Sequence, residues 1–227
     1  MLFALRHPAA LLGLVLGFAV GCYVRVVVAR LLVRGRVRLH AVGRAGPLRG
    51  VSRPGAWLDP FGVVAAVLSG IGWVPRQDAG YGKTGRLWTL AIGAVVAHAA
   101  VAAAGFAAYH AMGGSLSQLG FASTVNLLHG SVFIGMPGRE QAALAFAVEN
   151  VGCGLLSVVP IPPLETGVAA WTQFPRSPGA RRAAYHALEE QWGVAALLVL
   201  LLLPLAGGQP ILLAAVGAIG DHILAAL

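Results

Sequence analysis

The chain has 227 residues, 58% hydrophobic and 11% charged, with a formal net charge of +8. A soluble domain carries about 25% charged residues, so a soluble chain with one oversized core is a poor reading, and no long polar segment remains to build a second domain. The positive charge rests on fifteen Arg and one Lys, and its placement between apolar stretches points to membrane topology rather than to nucleic acid.

Residues 8–33 predict a first membrane helix, since a span needs roughly 20 apolar residues. Pro8 stands where a helix can start, because its missing N–H would be unpaired there anyway. Ala9, Gly13, Gly17 and Gly21 recur every four residues. That spacing gives one face on which another helix can approach closely. Arg25 and Ala29 continue the face, which turns Arg25 into the protein. Ala19-Val20-Gly21-Cys22 has the look of a signal peptide ending at a lipidated Cys. The apolar run continues through Leu32, however, whereas a cleaved signal ends near its small residues. Cys22 and Cys153 both sit in apolar stretches and read as buried small side chains.

Residues 34–56 form a loop rich in Gly and Arg, with Arg34, Arg36, Arg38, Arg44, Arg49 and Arg53 and no acid before Asp59. Such a loop stays cytoplasmic and can meet anionic lipid. The alternation from Arg34 to Leu39 is compatible with a short strand. Residues 58–74 are apolar and just long enough to span or to re-enter. Gly80-Tyr81-Gly82-Lys83-Thr84 faintly echoes a phosphate-binding loop, but the upstream Gly is Gln77 and no buried strand precedes it. Nucleotide binding is discarded on that mismatch.

Residues 88–111 predict a second clear membrane helix, with His98 at mid-depth. The bland reading of His98 is an interior His bonded to a backbone carbonyl. Residues 113–139 read as a loop whose piece Val125–Ile134 dips into the interface. Residues 141–159 predict a helix carrying Glu149 and Asn150, and residues 160–167 break it. Residues 174–191 are polar, with Arg176, Arg181 and Arg182, and so are also expected on the cytoplasmic side. Residues 193–205 and 210–227 are apolar C-terminal segments. Together these describe one all-α polytopic domain over residues 1–227, with five to six membrane segments in the cell membrane.

The most specific local signal is Ser157-Val158-Val159-Pro160-Ile161-Pro162-Pro163-Leu164-Glu165-Thr166-Gly167. Irregular, proline-rich chain at membrane depth is tolerated only where it is buried in protein or lines a cavity. The stretch resembles the Asn-x-x-Pro-x-Pro-Pro-Leu-Asp-Gly motif of site-2-protease-type intramembrane metalloproteases. Leu58-Asp59-Pro60-Phe61-Gly62 and Gly72-Trp73-Val74-Pro75 resemble two further elements of that family, in the order and spacing of its small bacterial members. The resemblance implies a site-2-protease-like helical core, in which the Asp of the Pro-rich motif is the third zinc ligand.

The same resemblance implies that the zinc site is degenerate. The family's His-Glu-x-x-His motif falls on Gly21-Cys22-Tyr23-Val24-Arg25 when Val26–Arg30 is taken as the segment that follows it. Gly21 and Arg25 then replace the two His ligands, Cys22 replaces the general base, and Glu165 replaces the third ligand. Ser157 stands for the motif's Asn and Thr166 for its Gly. A catalytic zinc takes three protein ligands plus water, and Arg25 is a permanent cation. No zinc or other cofactor is therefore expected. A rebuilt metal set would have to draw on Cys22, His98, Glu149 and Glu165.

Three functions follow from these residues. The first is a pseudoprotease that binds a membrane-protein partner or a substrate helix without cutting. The second is an active protease with a non-standard zinc site. The third is a small transporter that uses Arg25, Glu149 and Glu165 as a charged path. If the family layout holds, Arg25 and Glu165 point into the same space and form an ion pair, with Glu149 or Asn150 as the fallback partner of Arg25.

Overall fold

A computed structural model of the chain describes residues 1–32, 38–40, 58–78, 84–131, 135–173, 177–190, 192–204 and 208–227. The expectations for most of the 34–56 loop, for Gly80 to Lys83 and for Arg176 fall outside these residues. Among the described residues the protein is helical apart from one small ribbon.

Helix α1 spans Pro8–Leu32, after a short 3-10 turn at Leu2–Arg6. Strand β1 is Arg38–His40. Helix α2 spans Pro60–Ser69, β2 is Arg76–Asp78 and α3 spans Thr84–Ala111. A 3-10 turn at Leu116–Phe121 precedes α4 at Thr124–Leu128. Helix α5 covers Gly138–Ser157, α6 Glu165–Gln173 and α7 Pro178–Leu188. Helices α8 at Trp192–Leu202 and α9 at Ile211–Ala225 complete the order. The strand expected between Arg34 and Leu39 is described only from Arg38 onward. There it pairs antiparallel with β2, setting His40 opposite Arg76.

The core is a bundle of α1, α3 and α5, each packed on the other two. The four-residue Gly spacing on α1 makes this possible. A methyl group at Gly13 would run into the Ala142 carbonyl, one at Gly17 would lie 2.8 Å from the Phe146 carbonyl oxygen, and one at Gly21 would strike Asn150. Positions 13, 17 and 21 thus match 142, 146 and 150 in ascending order, so α1 and α5 run parallel. Helix α3 runs against them. Its early Gly93 meets Leu32 at the end of α1, and its later Gly105 meets Ala147.

Among the described residues two helices, α1 and α3, are long and apolar enough to cross a membrane. The expected span at 58–74 is not a single helix. Asp59 caps α2, accepting from the backbone N–H groups of Phe61 and Gly62 at 3.0 Å each, and Pro60 takes the first helical position. Gly70 then ends the helix with φ of 94°, a left-handed conformation that only Gly adopts freely. The ten residues of α2 extend about 15 Å, half the bilayer core. The two C-terminal segments are likewise short, with 11 residues in α8 and 15 in α9. An antiparallel bridge from Pro204 to Pro210 folds α9 back beside α8.

Large apolar side chains lie on the outer surface, and a few polar and ionisable ones lie within an otherwise apolar core. On α1, Leu12, Val15, Leu16, Val20 and Leu31 are exposed, as are Ile92 and Val96 on α3. Arg25, His98, Glu149, Asn150 and Glu165 are all buried. Ionisable groups almost never fill the interior of a soluble fold unless paired.

Two helices lie where the sequence predicts irregular chain. Helix α6 begins within the Pro-rich motif itself, at Glu165, because the motif's prolines stop at Pro163 and an acid suits the first turn of a helix. Helix α7 occupies the polar 174–191 stretch. Ser177 accepts from the Ala180 N–H at 3.1 Å, Pro178 starts the helix, and the alanines that follow sustain it.

Candidate functional site

The site is where the end of α1, the end of α5 and the start of α6 converge. Arg25 Nε donates to Glu165 Oε1 at 2.8 Å. Its NH2 donates to Glu165 Oε2, so the guanidinium grips both oxygens of one carboxylate. Both side chains are 2% exposed. Glu149 and Asn150, the fallback partners, are engaged elsewhere.

Why Glu165 reaches Arg25 follows from the Pro-rich break. Helix α5 ends at Ser157, whose Oγ turns back to the Cys153 carbonyl at 2.9 Å. The chain then turns through Pro160 and the cis Pro162–Pro163 peptide. Side chains of α6 bind carbonyls left open where the helix has broken. Thr166 Oγ1 donates to the Ser157 carbonyl at 2.8 Å, and Trp171 Nε1 to that of Pro160 at 3.0 Å. Gly167 packs on the Ile161–Pro162 backbone and Gly193 on the Pro162 carbonyl. Leu164, buried, anchors the end of the break, and α6 starts one residue later with Glu165 facing α1.

The other two motif elements meet each other. A methyl group at Gly62 would strike the Trp73 carbonyl, and one at Gly72 the Gly62 carbonyl. The Asp59-Pro60-Phe61-Gly62 turn and the Gly72-Trp73 turn are therefore in backbone contact. Cys153 Sγ on α5 lies 3.7 Å from the Gly72 carbonyl oxygen, which ties this pair to the core.

A second buried polar group lies at the foot of Gly21. His98 Nδ1 and Asn150 Oδ1 are 3.0 Å apart. Asn150 Nδ2 donates to the Gly17 and Phe146 carbonyls at 3.1 and 3.0 Å. With its amide donating there, Asn150 Oδ1 is the acceptor, and His98 Nδ1 carries the proton. His98 is thus held by a side-chain amide, not by the backbone carbonyl expected from sequence. The space beside Gly21 is filled, because a side chain at 21 would run into Asn150 Oδ1 and crowd the His98 ring. The bridging role of Asn150 across α1, α3 and α5 was not legible as such. Its one signal was a polar amide four residues past Phe146 on the face that meets the Gly stripe.

Glu149 is fully buried. Its Oε1 lies 3.5 Å from Cys153 Sγ, and its Oε2 has no hydrogen-bond partner among the described residues. The metal candidates Cys22, His98, Glu149 and Glu165 are consequently dispersed rather than gathered. His98 faces Asn150, Glu149 faces Cys153 and Glu165 faces Arg25. Among the described residues no three His, Cys, Asp or Glu side chains form a set that could hold a metal ion. The residues that the sequence resemblance sets at zinc-ligand positions do not fit zinc. Both Glu165 oxygens are taken by a permanent cation, and position 21 has neither a ligand nor room for one.

Beside this core lies an apolar pocket of about 260 Å³ between α3, α5 and α9, lined by Ala99, Ala103, Phe106, Gly154 and Val158 among others, with Asn150 at its wall.

Comparison with family models, with curated proteins and with solved structures finds no match.

Proposed function

We propose that this is a polytopic membrane protein with a site-2-protease-like core that does not cleave, a pseudoprotease that binds a membrane-protein partner helix. The observation that carries the reading is the Arg25–Glu165 pair. It joins the two segments that zinc would join in the family, with a guanidinium where a ligand His would stand. A charge-assisted bidentate pair ties two elements firmly but offers neither a Lewis acid nor an activated water. The membrane setting is supported by the two long apolar helices and by the exposed apolar and buried polar side chains. The apolar pocket, with small residues along α3 and α5, supports a surface on which another helix can pack closely.

Affinity purification from native membranes tests the reading directly. A membrane protein that co-purifies stoichiometrically, and that is recovered intact, is the expected result. Loss of every partner under mild detergent would sink it. Purified protein is expected to contain no stoichiometric zinc and to cleave no membrane substrate. About one zinc per chain that survives mild chelation would instead favour the active-protease reading. Reporter fusions within 34–53 and 176–182 are expected to signal the cytoplasmic side at both sites, since both stretches are Arg-rich. Signals from opposite sides would overturn the topology.

One observation favours the transporter reading as the second. Glu149 Oε2 is buried without a partner among the described residues, and intramembrane carboxyl groups often mark ion paths. Substrate or proton flux in proteoliposomes that is lost in Glu149→Gln would move the assignment to transport.

A further inference from the structure

Helix α7 sits at the end of the bundle where α1 finishes and α3 begins. Trp88, early in α3, donates its Nε1 to Gln173 Oε1 at the end of α6 at 2.6 Å, and α7 follows α6. Leu188 at the end of α7 packs against the cluster of Val26, Ala29, Leu87, Leu90, Val168 and Ala169, and Ala184 is buried. Arg76 Nη1 donates to the Leu188 carbonyl at 2.6 Å. One face of α7 is thus fixed to the protein. Arg181, Arg182 and Tyr185 are exposed, Arg181 one turn before the buried Ala184 and the other two turned further from it.

The charges on this helix are unevenly used. Glu189 pairs with Arg76 at 3.4 Å, and Glu190 lies 2.6 Å from His186 Nδ1. Arg181 and Arg182 have no ion pair among the described residues. They stand in the N-terminal half of α7, whose first turn has no acid. A cation there is mildly unfavourable to the helix itself, so helix stability does not account for them. Tyr185 is 57% exposed, and Trp192, which opens α8, is 68% exposed. Aromatic rings with a polar edge favour the headgroup level of a bilayer.

We propose that α7 is an interfacial helix whose Arg181 and Arg182 bind the phosphates of anionic phospholipid headgroups, with Tyr185 and Trp192 seated at the same depth. The inference rests on the membrane reading above. The bilayer surface is the committed partner because the surface pairs two uncompensated guanidinium groups with large exposed aromatic rings. Phosphate takes the first through charge-assisted bonds, and the interfacial zone takes the second.

Native mass spectrometry of the full chain in neutral-detergent micelles, titrated with phosphatidylglycerol or phosphatidylcholine, tests it. Arg181→Gln/Arg182→Gln is expected to weaken phosphatidylglycerol binding about 30-fold and to leave phosphatidylcholine binding unchanged. Arg6→Gln/Arg139→Gln removes two exposed cations at the opposite end of the bundle and is expected to change neither. Equal phosphatidylglycerol affinity in the Arg181/Arg182 variant and the wild type would overturn the proposal. Displacement of the lipid by millimolar inorganic phosphate would overturn it too, in favour of a free-phosphate site. A chain that stays in the aqueous fraction without detergent would overturn the membrane reading, and this surface with it. A detergent-dependent chain whose lipid binding ignores Arg181 and Arg182 would remove this surface alone.

Discussion

Arg25→Met and Glu165→Gln are each expected to destabilise the protein by about 3–5 kcal/mol, because each leaves one buried group without its counter-charge. Both side chains are 2% exposed, so water cannot compensate the survivor. The double replacement Arg25→Met/Glu165→Leu removes both charges at similar volume. It is expected to unfold within about 1 kcal/mol of the wild type, or later, since apolar substitutes for a buried pair are often neutral or stabilising. The swap Arg25→Glu/Glu165→Arg is expected to be more stable than either of its single components, with a coupling on the order of 2 kcal/mol. Thermal unfolding in detergent micelles reads all of these. A swapped double no better than its singles would show that the pair does not tie α1 to α6. The apolar double also separates structure from binding. If it folds but loses the co-purifying partner, the charges themselves serve recognition.

Building the zinc-ligand pattern of the resembled family into this chain is expected to fail on packing before it fails on chemistry. Gly21→His puts an imidazole where Asn150 and His98 already lie, and Gly17→Leu drives into the Phe146 carbonyl and the Glu149 side chain. Each is expected to cost on the order of 2 kcal/mol or more, through overpacking and separation of α1 from α5. Gly179→Ala, on exposed α7 with nothing within 4 Å of the new methyl, is the control. It is expected to be neutral or to stabilise by up to about 1 kcal/mol. The triple change Gly21→His/Cys22→Glu/Arg25→His restores the family's ligand pattern in sequence but is expected to take up no stoichiometric zinc. A stable triple variant with about one zinc per chain would refute the packing account.

The features legible in the sequence were those that one helix face or one motif encodes. The Gly13, Gly17, Gly21 spacing foretold the close contact with a neighbouring helix, because only Gly lets a backbone carbonyl approach that near. The Arg25–Glu165 contact was legible only through the resemblance, since nothing local to residue 25 points to residue 165. The 58–74 segment was harder. Its composition suits a span, and its shape is decided by the Asp59 cap and the left-handed Gly70, which punctuate the chain rather than change its hydropathy. Helix α7 was missed for the opposite reason. Polarity suggested a loop, while Ser177, Pro178 and the alanines set a helix that needs only one buried face. Asn150 was read as an alternative partner for Arg25. Its actual contacts lie on α1 and α3, and they depend on how the three helices are rotated, which no local pattern records.

The span of the Arg25–Glu165 pair has a consequence for biosynthesis. The partners are 140 residues apart in the chain, which at about 5–20 residues per second is about 7–28 s of translation. During that interval α1 has left the ribosome and its guanidinium lacks the carboxylate that it grips in the folded protein. On the membrane reading, an Arg at the very centre of a spanning helix costs about 2.5–3.5 kcal/mol; Arg25, nearer the end of α1, costs less, and the rest of α1 must outweigh it. Only when α6 emerges does the cation find its counterpart. A chain that terminates before α6 keeps a guanidinium in its first helix without the counter-charge it has in the finished protein.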